Sequence, residues 1–120
     1  MTLSAFRGAV TVTISEILAT KPEGPTTPPA QVKLAGMTFN ATNGHSSLRP
    51  LRAKAGPPPW MLVSQATVPA GHGGSFLKAL AHATTLELAN GSSRVISPVK
   101  DGQAVATFLT SHQGEKYFLP

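Results

Sequence analysis

Gly71-His72-Gly73-Gly74-Ser75-Phe76-Leu77-Lys78-Ala79-Leu80-Ala81-His82, with Thr84-Thr85-Leu86-Glu87-Leu88 behind it, is the stretch from which the fold can be read. Gly71 to Gly74 reads as a flexible loop, and Ser75 is placed to accept from the free amides of a first helical turn. Phe76, Leu77 and Leu80 then fall on one helical face, so the spacing predicts a short amphipathic helix starting at Ser75. Leu86-Glu87-Leu88 alternates as a strand, and Asn90-Gly91 turns the chain into a second strand at Arg94-Val95-Ile96. A helix that feeds a hairpin predicts an α+β fold, mostly antiparallel β-sheet with one or two short helices.

Upstream of this unit, Trp60 to Val68 reads as a strand for the middle of a sheet, ended by Pro69. In Ala9 to Ile17, Val10, Val12 and Ile14 alternate with Thr11, Thr13 and Ser15, the period of a strand with one buried face. Val32, Leu34, Met37 and Phe39 suggest another strand, interrupted at Ala35-Gly36 by a bulge or tight turn. Asn40 to Ser47 carries turn chemistry, with Asn43-Gly44 as its sharpest hairpin cue. Downstream, Asp101 suits a helix cap and Ala104, Val105, Phe108 and Leu109 share a helical face; Val105, Thr107 and Leu109 also alternate as a strand, and the helix is favoured.

Two stretches interrupt this pattern. Residues 21–30 hold four prolines, which remove backbone donors and fix φ, so they form an extended connector or arm. Residues 46–59 read as a basic, proline-rich loop that ends in Pro57-Pro58-Pro59. With 120 residues, the chain fits one domain spanning positions 1–120.

The run Phe76-Leu77-Lys78-Ala79-Leu80 with Thr85-Leu86-Glu87-Leu88 and the following turn resembles the C-terminal helix-plus-hairpin unit of small periplasmic invasion-associated proteins. The resemblance covers about a quarter of the chain, and the cysteines usual in that group are absent. It implies a helix followed by a hairpin, and no function is carried over from it.

Composition narrows the function classes. Charged residues make up 12% of the chain against roughly 25% in an ordinary soluble domain, so Thr, Ser, Asn, Gln and Gly, or a partner protein, must cover the surface. Zero cysteines exclude a disulfide framework, a Cys-ligated zinc site and thiol catalysis. Five carboxylates and four histidines, all scattered, leave little material for acid–base chemistry, so no catalytic residue, metal or cofactor is expected. No segment approaches the roughly 20 apolar residues that span a bilayer, and no secretory leader is read at the N-terminus. The expected location is the cytoplasm or a particle assembled there, although a mature secreted domain would look the same.

Three stretches are candidate binding elements. Arg49, Arg52, Lys54 and Trp60 concentrate positive charge beside the sole tryptophan of a chain with net charge +5, which suits contact with phosphates and bases or with an acidic partner. Gly71, His72, Gly73, Gly74 and Ser75 expose amides that suit an anion, although the Lys-Ser/Thr ending of a phosphate-binding loop is missing. Tyr117, Phe118 and Leu119 form an apolar tail that either packs back on the core or inserts into a neighbouring subunit. Together these features predict a non-enzymatic structural or accessory subunit of a larger assembly, such as a virion, with a protein partner or a homo-oligomer. The alternative is a small basic nucleic-acid-binding module built on Arg49 to Trp60.

Overall fold

The computed structural model describes residues 1–119. In chain order the elements are β1 (Thr2–Phe6), β2 (Ala9–Leu18), β3 (Gln31–Leu34), β4 (Met37–Asn40), β5 (Thr42–Pro50), β6 (Trp60–Val68), α1 (Ala70–Leu80), β7 (Thr85–Asn90), β8 (Ser93–Pro98), α2 (Gly102–Ser111) and β9 (Lys116–Phe118). The strands form a five-stranded sheet of order β5-β6-β2-β1-β9 and a four-stranded sheet of order β4-β3-β7-β8. Every pairing is antiparallel. The fold is α+β and mostly antiparallel, as the helix-plus-hairpin pattern implies.

Period-2 alternation decides which side of each strand is buried. In β2, Val10, Val12 and Ile14 are buried, while Thr11 and Thr13 between them are half-exposed. Register carries this division across the sheet: Leu3 and Ala5 of β1 lie opposite Val12 and Val10, and Ala66 and Val68 of β6 lie opposite the same pair. From the second sheet Val32, Leu34, Phe39, Leu86 and Leu88 join them, and from the helices Phe76, Leu80, Val105 and Leu109, in one apolar cluster. Phe76 meets Phe39 edge-on at 5.6 Å, which fastens α1 to the second sheet. Full burial of a side chain this large contributes roughly 1.5–3 kcal/mol relative to exposure.

The hinge of the fold is a close approach that only glycine permits. β1 and β2 are joined by Arg7-Gly8, both with positive φ (50° and 86°), the two-residue turn whose twist suits a hairpin. The Gly8 carbonyl lies against Gly73 of α1, and a methyl group on Gly73 would overlap that oxygen. Gly102 at the start of α2 touches the Leu80 carbonyl in the same way. Both helices therefore sit backbone to backbone on their neighbours.

Several boundaries differ from the expectations. The helix does not begin at Ser75: α1 starts at Ala70 with Pro69 as its cap residue, so Gly71 to Gly74 are helical. Glycine's poor helix propensity is overridden by the tight seat on Gly8, because tertiary packing decides such conflicts. Asn43-Gly44 is not a hairpin turn but a bulge inside β5, where the register shifts between Thr42 and His45 and Asn43 takes φ 53°. The basic loop shortens accordingly to positions 51–59, because Ser46 to Pro50 pair with β6. Ala35-Gly36 is a tight turn, one of the two readings given above, and it divides the stretch into a separate hairpin, β3–β4, with φ 49° and 76°. The loop of the β7–β8 hairpin is Gly91-Ser92, one residue later than Asn90-Gly91. Strand β1 carries none of the strong signals and was not expected.

Residues 21–30 have no regular secondary structure, and the Asn90 side chain donates to the Pro28 carbonyl at 2.8 Å, tying the connector to β7. The stretch after Pro98 is a helix, with the Asp101 carboxylate accepting from the Ala104 amide at 3.4 Å.

Candidate interaction face

Residues that lie opposite each other in antiparallel strands point to the same side. On the side of the five-stranded sheet away from the core, one row runs Phe118, Thr2, Thr13, Gln65, His45 across β9, β1, β2, β6 and β5. The row below it is Lys116, Ser4, Thr11, Thr67, Thr42; above it come Ser15, Val63, Ser47 and then Ile17, Met61, Arg49. Phe6 and Ala9 close the lower end. Both helices pack from the other side: Phe76 reaches Phe39, and Phe108 of α2 meets Tyr117, which lies opposite core residue Leu3. Among the described residues nothing covers this outer face.

Its surface chemistry is unusual in one respect. Among the described residues five large apolar side chains are strongly exposed, and three of them, Phe6 (58%), Ile17 (70%) and Phe118 (74%), stand on this face. Between them lies a floor of neutral hydroxyl and amide groups, braced laterally by Thr11 Oγ1 against Thr67 Oγ1 at 3.1 Å and by Thr13 Oγ1 donating to Gln65 Oε1 at 3.3 Å. The paired positions include two cations, Lys116 and Arg49, at opposite corners, and no carboxylate.

The structure divides the basic candidate site. Arg49 lies opposite Met61 on the outer face, whereas Trp60 lies opposite Pro50 and Leu18 on the core side of the same sheet. Arg52 and Lys54 are exposed in the loop beyond the strand. Trp60 is half-buried, and the Lys21 ammonium stands 5.1 Å from its ring centroid, so that ring face is already engaged. A base stacked on Trp60 and a phosphate held by Arg49 would lie on opposite sides of a sheet.

The glycine-rich stretch also changes character. An α-helix leaves its first four amides free, and with Pro69 as cap residue these do not include Gly73 and Gly74, which fall within the helical hydrogen-bond ladder. His72 N donates to the Pro69 carbonyl at 2.9 Å. The expected anion-binding loop, Gly71 to Ser75, is therefore part of α1, and of its glycines Gly73 serves the contact with Gly8.

In the tail, the three apolar residues take different roles. The Leu119 amide donates to the Met1 carbonyl at 2.8 Å, and Leu119 is buried in the molecule's own core. Tyr117 is half-buried with its ring edge-on to Phe108 at 5.2 Å. Of the expected docking tail, only Phe118 stays available to a neighbour.

Elsewhere among the described residues no cluster of reactive groups emerges. A cleft of about 200 Å³ between the sheets, beneath the proline-rich connector, is lined by Glu16, Glu23, Thr26, Ser46 and Asn90, with no histidine. It falls below the roughly 300–1,000 Å³ usual for a small-molecule site. An open apolar trough between the helices is lined by Gly74, Leu77, Ala81, Ala106 and Thr110. Among the described residues no three His, Asp or Glu side chains come together as a metal site, and no helix is long and apolar enough to cross a membrane. His112 stacks on Phe108 with ring centroids 4.3 Å apart, which serves the end of α2.

The outer face was legible in part: Thr11, Thr13 and Ser15 mark the solvent side of β2, but Phe6 and Phe118 join it only through pairing of strands at opposite ends of the chain. Comparison of the chain with protein-family models, with curated proteins and with solved structures gave no match.

Proposed function

We propose that the protein is a non-enzymatic structural or accessory subunit of a larger assembly and docks through the outer face of its five-stranded sheet. The observation that carries this reading is the collection of Phe6, Ile17 and Phe118 on one uncovered face. Solvent-exposed apolar side chains gathered on one surface mark contact sites. The scatter of histidines and carboxylates over separate elements supports a binding role over a catalytic one. The nucleic-acid reading loses its main support once Arg49 and Trp60 lie on opposite sides of a sheet.

The test is the mass of the native particle or complex isolated gently from the protein's own source. A complex heavier than the 12.4 kDa chain is expected, and Ile17→Lys combined with Phe118→Lys should release the chain from it. A wild-type chain that runs free at 12.4 kDa overturns the proposal.

A further inference from the structure

We infer that the partner on the outer face is a second copy of this chain, the two five-stranded sheets stacking face to face about a twofold axis. This rests on the docking role proposed above and names its occupant.

Three observations lead to it. The first is charge. The chain carries net charge +5, yet the middle rows of the face, built from Thr2, Thr11, Thr13, Gln65 and Thr67, are neutral. A strongly acidic partner or a nucleic acid would be met by cations across its footprint, whereas here they stand only at the margins: Lys116 and Arg49 at the corners, and Arg7 over the Phe6 ring at the lower end. A neutral floor is where two equally positive molecules can touch without placing like charges together.

The second is geometry. Lys116 lies at the lower β9 corner and Arg49 at the upper β5 corner. A twofold axis between the sheets and along the strands would set the two Arg7 side chains, in the β1–β2 turn near the mid-line, close together. An axis across the strands carries Arg7 toward the Ile17 end and Arg49 beyond Thr42, so no cation meets its own copy. A twofold contact uses the same patch on both subunits, so one self-complementary face suffices.

The third is area. Strands spaced about 4.8 Å apart with about 3.3 Å per residue give this face roughly 550 Å² in projection. Side-chain relief raises its accessible area toward the roughly 800 Å² per partner of a standard stable interface. By contrast, pairing through the open edge of β5 would bury a single strip of backbone and fall well short of that size. Sheets stacked face to face are an established packing mode, with about 10 Å between their backbones, and the intervening layer here would be Thr, Ser and Gln side chains rimmed by Phe and Ile.

Sedimentation equilibrium of the purified full chain, alone and up to about 100 μM, tests this. A species of twice 12.4 kDa is expected. Thr13→Lys, at the middle of the face, should weaken self-association by about a hundredfold, because it sets two buried like charges near the axis. Ile17→Lys, at a 70% exposed position, repeats the test where the fold is least affected. Thr38→Lys, exposed on β4 of the other sheet, should leave the dimer intact. A wild-type monomer throughout this range, or a dimer indifferent to both Thr13→Lys and Ile17→Lys, overturns the inference. If the pure chain is monomeric while the complex from its source depends on Ile17 and Phe118, the partner is a different protein: the docking face stands and the self-pairing falls. If no complex forms in either setting, both readings fall.

Discussion

The two faces of the five-stranded sheet are built from the same strands by alternate residues, and they have different tasks. The core side presents Leu3, Ala5, Val10, Val12, Ile14, Ala66 and Val68, all buried, and closes on the second sheet and both helices. The outer side presents Thr2, Ser4, Thr11, Thr13, Ser15 and Thr67, with Phe6, Ile17 and Phe118 around them. β-branched threonine suits a strand as well as valine does, so the outer side keeps its conformation without burial and stays free for contact. Residues one step apart in β1 or β2 thus belong to different problems, folding for one and, in the proposed docking role, recognition for the other.

The sharpest way to break this comparison is to truncate neighbours in β1. Leu3→Ala, at a fully buried position, should lower stability by about 2–5 kcal/mol, whereas Ser4→Ala, next in sequence but facing outward, should change it by about 0.5 kcal/mol or less. Urea denaturation of the two variants measures both, and equal losses would mean that the outer side is also packed. The effect of dimer dissociation is kept out by working well below the self-association range.

A second, smaller contrast lies in α1. Alanine normally favours a helix over glycine by about 1 kcal/mol, and Gly74→Ala should gain up to that amount because its side faces open space. Gly73→Ala should instead lose about 1–3 kcal/mol, since the added methyl meets the Gly8 carbonyl and the hairpin or helix must shift. Thermal unfolding that moves in the same direction for both would refute the close seat of α1 on the β1–β2 turn.

The smallest effect is expected on the outside of the second sheet. Arg94 and Glu87 approach at 3.5 Å, with the arginine side chain 62% and the glutamate 16% exposed, so solvent screens the pair from the arginine side. Glu87→Gln should reduce stability by less than about 1 kcal/mol, and the difference should fade in high salt. A larger, salt-independent loss would mean that this outer surface contributes to the core more than the five-stranded sheet's outer surface does.

Much of the fold was readable because the cues are local. The valine–threonine alternation of β2, the Asp101 cap of α2 and the apolar run after Trp60 each state a period or a terminus within a few residues. The failures share one cause. Glycines at 71–74 and Asn43-Gly44 announce conformational freedom, but what the chain does with that freedom depends on distant neighbours, Gly8 for Gly73 and Pro29 for Gly44. β1 was overlooked for a related reason: with only Leu3 and Ala5 as inward residues it becomes a convincing strand only when β2 and β9 flank it. The candidate sites followed the same logic. Arg49 and Trp60 are close along the chain yet are sent to opposite faces by strand parity, while Phe6, Ile17 and Phe118, far apart in sequence, are gathered on one.

Local chemistry thus determined the α+β class, the strand periods, the sparse charge of the exterior and the scarcity of reactive groups, because each depends on residue type and short-range spacing. The conformation of the glycine run was decided by the seat of Gly73 on Gly8, and the burial of Leu119 beside an exposed Phe118 and the assembly of an uncovered apolar-rimmed face by strand pairing, including that between the two ends of the chain. Long-range register assigns each residue a side and a neighbour, and neither is a property of the residue alone.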